Sequence, residues 1–79
     1  MRVFVAAQGN PEGDVVFGVF STCKLAQDAC APHAKKGGRQ IVEKFRRETT
    51  YNKAVKSRYQ ASTECPNWCW YTVDEYEVQ

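Results

Sequence analysis

Hydrophobic and polar positions in the first part of the chain follow the spacing of β-strands and then change to that of a helix. Residues 2–7 are β-branched and aromatic and alternate between two faces. Residues 8–14 are dense in Gly, Pro, Asn and Asp, which is typical of a turn, and residues 15–20 are apolar on both faces. We therefore expect an antiparallel hairpin with a loop of about seven residues, and we place residues 15–20 near the centre of the sheet.

A helix is predicted directly after this second strand. The hydroxyl of Ser21 or Thr22 can accept a hydrogen bond from an early N–H group of that helix. Pro32 lacks an N–H group and clashes with the preceding turn, so we expect the helix to end or kink near Ala31. The glycine pair at residues 37–38 stops any remaining helix. The residues at helical spacing that should face the sheet are Ala26, Ala29, Cys30 and His33.

The second half of the chain gives a weaker pattern. Ile41 and Phe45 fit a helical stripe, so residues 39–48 are predicted to be helical, although the same positions also alternate. Residues 60–67 resemble a loop that ends in a proline turn. Residues 68–78 are aromatic and β-branched without Gly or Pro, which predicts a strong strand, with a bulge near Asp74 and Glu75.

These elements predict one α+β domain over residues 1–79, a small antiparallel sheet of the ββαβ type with a helix packed on one face. Residues 39–48 leave room for a second helix. No apolar run approaches the roughly 18 residues that a membrane span needs. The first residues resemble a strand and not a signal peptide. We therefore expect a cytoplasmic protein with no membrane partner.

Charge is strongly segregated along the chain. Residues 35–58 contain nine Lys and Arg residues but only two acids, Glu43 and Glu48, within a basic insertion that spans residues 35–64. Such segregation favours an acidic partner surface or nucleic acid. The alternative is a mixed-charge surface that is fixed by acids elsewhere in the fold. The candidate binding residues of the segment are Arg39, Lys44, Arg46, Arg47, Lys53, Lys56 and Arg58.

The four cysteines allow three interpretations. Cys30, His33, Cys65 and Cys69 form two close pairs of soft ligands, near the spacing of structural zinc sites. A disulfide between the helix and the segment of residues 65–69 is the second interpretation. Buried free thiols are the third and the one that we favour, because Cys residues often serve as small core residues. Cys23 and Cys30 lie too far apart on one helix to form a disulfide.

Aromatic residues cluster near the end of the chain. Trp68, Trp70, Tyr71 and Tyr76 could stack nucleic-acid bases, but the acids at residues 74–77 would repel phosphates. A protein interface that includes Trp68 and Trp70, or packing in the core, fits the pattern better. No catalytic set is evident, so we do not expect an enzyme.

Two of these segments resemble a family of short, uncharacterised proteins of bacteriophages and bacteria. The resemblance covers residues 2–30 and 68–78 and implies a hairpin, a capped helix and a closing strand. The motifs are FGVFST at residues 17–22, Ala26 and Ala29 in the helix, and TVDEYEV at residues 72–78. Small phage-type proteins commonly bind and block a host protein, so the resemblance implies that context.

We therefore expect a non-enzymatic phage-type accessory protein. It would bind and inhibit a host protein or ribonucleoprotein with an acidic surface. One such target is a defence complex, which is the type of target that anti-CRISPR-like proteins block. The alternatives are a nucleic-acid-binding protein that uses residues 35–58 and a small zinc-stabilised module. Homodimerisation through an exposed sheet edge is compatible with each of them.

Overall fold

A five-stranded antiparallel sheet, covered on one face by a helix, forms an α+β fold. The computed structural model describes residues 1–64 and 69–78. Along the chain, the elements are β1 (Arg2–Asn10), β2 (Gly13–Phe20), α1 (Cys23–Lys36), β3 (Arg46–Glu48), β4 (Ser57–Ser62) and β5 (Trp70–Glu77). The strand order is β2-β1-β5-β4-β3, and each pair of neighbours is antiparallel. The general prediction of an α+β fold is confirmed, although the sheet is larger than expected.

The central strand is β5 and not β2, which corrects the predicted strand order. β5 pairs in unbroken register with β1 on one side and β4 on the other. The bulge predicted near Asp74 and Glu75 is therefore wrong, since two flanking ladders hold β5 regular. The irregularity lies instead in β2, where Gly18 and Val16 pair with consecutive residues of β1 and Phe17 is the additional residue. An edge strand accommodates such a residue because only one ladder is disturbed.

The turn between β1 and β2 contains two residues and not about seven. The side-chain oxygen of Asn10 accepts a 2.9 Å hydrogen bond from the backbone N–H of Glu12. Gly13 has a φ of 137°, which residues with a side chain rarely adopt. These two features close the chain tightly at Pro11 and Glu12, so residues 8–10 and 13–14 extend the strands.

Helix α1 begins at the predicted cap but ends later than predicted. The hydroxyl of Thr22 accepts a 3.1 Å hydrogen bond from the N–H of Leu25. The helix passes through Pro32 to Lys36 and ends at Gly37, whose N–H donates to the His33 and Ala34 carbonyls. The predicted end near Ala31 is wrong because Pro32 is on the exposed side, where water can solvate the carbonyl left without a donor. No helix in the described part of the chain has the length and apolar character needed to cross a membrane.

The core lies between α1 and the central strands. The buried residues of the helix are Ala26, Cys30 and Ala34. Two of them, Ala26 and Cys30, were predicted to face the sheet. Their small side chains let the helix approach the sheet closely. Tyr71 and Val73 of β5 are fully buried beneath it. The other residues packed around this cluster are Ala6, Cys69, Phe4, Phe17, Phe20, Cys23, Ile41, Phe45 and Tyr59.

Residues 39–48 are not helical, which corrects the predicted second helix. Ile41 forms a β-bridge with Thr63, and residues 46–48 pair with residues 58–60 of β4. Pairing with β4 therefore selected the alternating pattern over the helical stripe. Residues 60–62, predicted as loop, belong to β4 for the same reason. The proline turn predicted at residues 65–67 lies outside the described residues.

Candidate functional site: a cationic sheet edge

Most of the basic residues of the segment lie along the part of the chain that leads from α1 through β3 to β4. They begin at the carboxyl end of α1, continue beside β3 and reach the loop of residues 49–56 between β3 and β4. All are exposed except Arg39, which is half-buried. We call this set the cationic edge and define it as Lys35, Lys36, Arg39, Lys44, Arg47, Lys53 and Lys56.

The cationic edge is not neutralised by carboxylates of the fold. Within residues 1–64 and 69–78, none of its seven side chains forms an ion pair. Several acids from other parts of the chain are paired elsewhere, since Glu75 and Glu77 contact Arg2, and Asp28 contacts Lys24. The alternative of a surface fixed by acids elsewhere thus has little support along this edge.

Two of the predicted binding residues are ion-paired and belong to a different environment. Arg58 forms two hydrogen bonds with Asp74, at 2.7 and 2.8 Å, across neighbouring strands. The bonds to the carboxylate raise the pKa of Arg58. Its side chain is only 32% exposed, so this guanidinium joins β4 to β5. Arg46 lies 3.3 Å from Glu43 in a more exposed pair.

The loop of residues 49–56 is held in shape by local hydrogen bonds. The Thr50 hydroxyl accepts from the N–H of Asn52 at 3.3 Å, and the Asn52 side chain accepts from that of Ala54 at 3.0 Å. Val55 is buried, and the N–H of Lys56 donates to the Glu75 carbonyl at 2.7 Å. The loop therefore presents its exposed residues from a defined backbone. Beside it lies a cavity of about 400 Å³ lined by Arg47, Glu48, Thr49, Thr50, Lys56 and Ser57.

Tyr51, in this same loop, is a candidate binding residue that sequence reasoning missed. Its side chain is 95% exposed and lies in the chain between Arg47 and Lys53 of the cationic edge. The available signal was a single aromatic residue in a polar segment with cations on both sides.

Arg39 connects the cationic edge with the turn at the end of β1. It lines a cavity of about 490 Å³, together with Lys35 and Ile41. It also lines a second cavity, of about 300 Å³, which includes Gln8 and Glu12. The N–H of Arg39 donates to the Ala34 carbonyl at 2.8 Å, which fixes the backbone at this position.

The predicted aromatic residues have separate positions. Trp70 covers Gly9 on the neighbouring strand, where an added Cβ would lie 2.0 Å from the indole nitrogen. Tyr71 is fully buried against α1, so it cannot stack on a ligand, and Tyr76 is half-buried. Trp68 lies outside the described residues. The structure thus does not assemble Trp70, Tyr71 and Tyr76 into one stacking surface.

His33 is part of an aromatic cluster in the core. Its Nδ1 atom and the Tyr71 hydroxyl share a 2.9 Å hydrogen bond, and its ring stacks on Phe17 at 4.1 Å. Burial raises the pKa of Tyr71 to about 12, so the hydroxyl remains protonated at neutral pH. One nitrogen of the candidate ligand His33 is therefore engaged within the fold.

The cysteines of the described part are free thiols. Cys30 donates to the Ala26 carbonyl at 3.3 Å, and burial raises its pKa to about 12, which disfavours the thiolate that zinc requires. Cys69 is buried as well, and Cys23 is half-buried. Residues 1–64 and 69–78 contain no group of three His, Cys, Asp or Glu side chains suited to a metal ion. The fourth cysteine ligand candidate, Cys65, lies outside them.

Comparison with known proteins does not assign a family or a function to this site. No protein-family model matches the chain, and neither the curated proteins nor the solved structures give a match. The structure defines the protein as a small α+β domain with a five-stranded antiparallel sheet. The resemblance to short phage and bacterial proteins stays a prediction.

Proposed function

We propose that this protein is a non-enzymatic accessory protein that binds an acidic surface of a host protein and inhibits it. The phage-type, anti-CRISPR-like role expected from the sequence is part of this proposal. The observation that carries it is the cationic edge, seven cations without an ion-pair partner in the described part of the chain. Such a one-sided field accelerates encounter with an acidic partner and selects against basic ones.

The loop of residues 49–56 supplies a suitable contact for the centre of such an interface. Tyr and Arg are enriched among residues that dominate binding energy, and here Tyr51 and Arg47 occur within a few residues. The local hydrogen bonds of Thr50 and Asn52 hold the loop in shape before binding. Pre-organisation lowers the conformational entropy that is lost when the complex forms.

The environments of His33 and Cys30, two side chains that could take part in catalysis, support a binding role over an enzymatic one. His33 contacts Phe17 and Tyr71 in the aromatic cluster. Cys30, on the buried side of α1, is fully buried, and burial raises the pKa of its thiol to about 12. Both groups are thus used in packing, whereas the exposed groups of the cationic edge are suited to recognition.

The test is affinity capture from bacterial lysate with the tagged protein, before and after nuclease treatment, read by mass spectrometry. We expect a stoichiometric host protein that survives nuclease and whose capture is lost with Lys53→Glu. The matched control is Arg2→Glu, which makes the same charge change on an exposed side chain of β1, away from the cationic edge. Equal loss with both variants, or no protein retained by the wild type, would contradict the proposal.

Single-stranded nucleic acid is the second candidate partner, and the exposure of Tyr51 favours it. An exposed ring among cations can stack on a base while the cations contact phosphates. Fluorescence anisotropy with a labelled oligonucleotide should then show affinity that falls steeply with salt. Tyr51→Ala should weaken binding by roughly 1–3 kcal/mol. Absent or salt-insensitive binding would remove this candidate.

A further inference from the structure

We propose that β2 pairs with β2 of a second copy of this chain, antiparallel and about a two-fold axis, so that two five-stranded sheets form one continuous sheet. The inference concerns the edge opposite the cationic edge and goes beyond the proposed function. It depends on three features of β2: its backbone, its exposed valines and the charges at its two ends.

The first feature is a long strand edge that lacks basic residues and proline. β2 has eight residues and hydrogen-bonds to β1 on one side only, as the terminal strand of the described sheet. It contains no Lys, Arg or Pro, the residues that commonly prevent edge-to-edge pairing. The bulge at Phe17 increases the local twist, and it leaves extended chain on both sides for pairing.

The second feature is the exposure of apolar side chains on this strand. Val15 and Val16 are each 58% exposed and Val19 is 60% exposed. A strand that is apolar on both faces is usually covered by other parts of a protein, and β2 leaves these three valines largely uncovered. A second β2 strand supplies the missing neighbour and gives these valines cross-strand partners.

The third feature is charge complementarity, and it selects the second copy and the antiparallel direction. Glu12 and Asp14 lie at the start of β2, whereas the amino end of α1 follows its last residue; Lys24, near that end, is already paired with Asp28 at 2.7 Å. Neither acid has an ion-pair partner in the described part of the chain, and the first turn of α1 contains no acid. Antiparallel pairing brings the acidic start of each copy beside the positive end of the other.

The alternative of β2 pairing with β3 of another copy is less favourable. β3 has only three residues, and Arg46 and Arg47 project from it. Such a head-to-tail contact would also leave free edges at both ends and extend into fibres, whereas a two-fold contact closes. The two-fold β2 pair is therefore the favoured assembly.

The test is sedimentation equilibrium of the untagged protein from about 1 µM to about 1 mM, the range in which a small interface dissociates. We expect a monomer–dimer equilibrium in the wild type. Val16 lies near the middle of β2, so Val16→Lys places two lysines near each other across the two-fold axis and should raise the dissociation constant at least about tenfold. The matched control is Val42→Lys, because Val42 is 57% exposed and distant in sequence from β2.

A charge exchange then tests the direction of pairing. Glu12→Lys and Lys24→Glu should each weaken the dimer, and the double variant should restore it. Circular dichroism melting confirms that each variant is folded. A monomeric wild type at about 1 mM, an equal effect of Val16→Lys and Val42→Lys, or a double variant as weak as the singles would each overturn the inference.

Discussion

The two edges of the sheet are built in opposite ways. β2 is eight residues long, apolar and free of basic residues. β3 is three residues long, carries Arg46 and Arg47, and follows an irregular segment at residues 42–45. Short length and charge are the features that keep a strand edge from pairing with other strands. The comparison shows that short length and charge protect the β3 edge, whereas the β2 edge leaves a longer backbone edge and three valines exposed.

The largest loss of stability should come from removing the side-chain contact that joins β4, and with it β3, to the central strand. Arg58→Ala leaves Asp74 nearly buried without its guanidinium partner and should cost roughly 3–5 kcal/mol of unfolding free energy, as when one partner of a buried ion pair is removed. Urea unfolding measures this. Arg46→Ala is the control, because the exposed pair with Glu43 should contribute less than about 1 kcal/mol. Similar losses in both variants would contradict the structural role of Arg58.

Alkaline pH should weaken the core that both edges share. The pKa values of Tyr71 and Cys30 are each raised to about 12 in the folded protein, from ordinary values of 10.0 and 9.0. The unfolded chain therefore loses these protons first, and stability that is complete below pH 9 falls as pH rises towards 12. Each group contributes at most about 1.4 kcal/mol per pH unit.

Urea midpoints measured from pH 8 to pH 11 would show this decline. Tyr71→Phe removes one of the two groups and should make the decline between pH 10 and pH 11 shallower, even though it lowers stability at pH 8. An unchanged slope would show that Tyr71 does not contribute.

Salt should separate the two edges. Binding through the cationic edge depends on exposed charges, so raising salt from about 50 mM to about 200 mM should lower affinity for an acidic partner by roughly tenfold or more. The β2 dimer depends mainly on hydrogen bonds and valines, so its dissociation constant should change much less. Titration and sedimentation in the same buffers provide the two measurements. Equal salt dependence would remove the distinction between the edges.

The smallest loss of stability is expected at the junction between β2 and α1. Thr22→Ala removes the hydroxyl that accepts from Leu25 and should cost about 1 kcal/mol in thermal or urea unfolding. Ser21→Ala is the control, since Ser21 precedes the capping position. A larger loss with Ser21→Ala would show that the cap lies one residue earlier.

Much of the fold followed from local patterns in the sequence. The strands β1, β2 and β5 and the start of α1 were predicted because turn formers, a capping hydroxyl and a change of period mark them. The position of β2 in the sheet was not predicted correctly. An apolar pattern indicates how much of a strand's surface can be buried, but it does not indicate which strands lie beside it. Residues 39–48 fitted two periods, and only pairing with β4, which is distant in sequence, decided between them.

The candidate site was predicted as a set of cations but not as an arrangement. The pairing of Arg58 with Asp74 joins residues 16 positions apart and depends on strand register. The sequence therefore could not separate this structural arginine from those of the cationic edge. Tyr51 was missed because exposure depends on the course of the loop, which no periodicity in this segment indicates.

The strand order has a consequence for valency. β2 and β3 are the two ends of the described sheet, so joining two copies through β2 would place their β3 strands, with Arg47 and the loop of residues 49–56, at opposite ends of the assembly. At a strand spacing of about 4.8 Å, the two edges are roughly 40 Å apart. A target that repeats an acidic surface at that distance binds both ends at once, and the second contact forms at a high effective concentration. The dimer would then distinguish a repetitive assembly from a single subunit with the same surface chemistry.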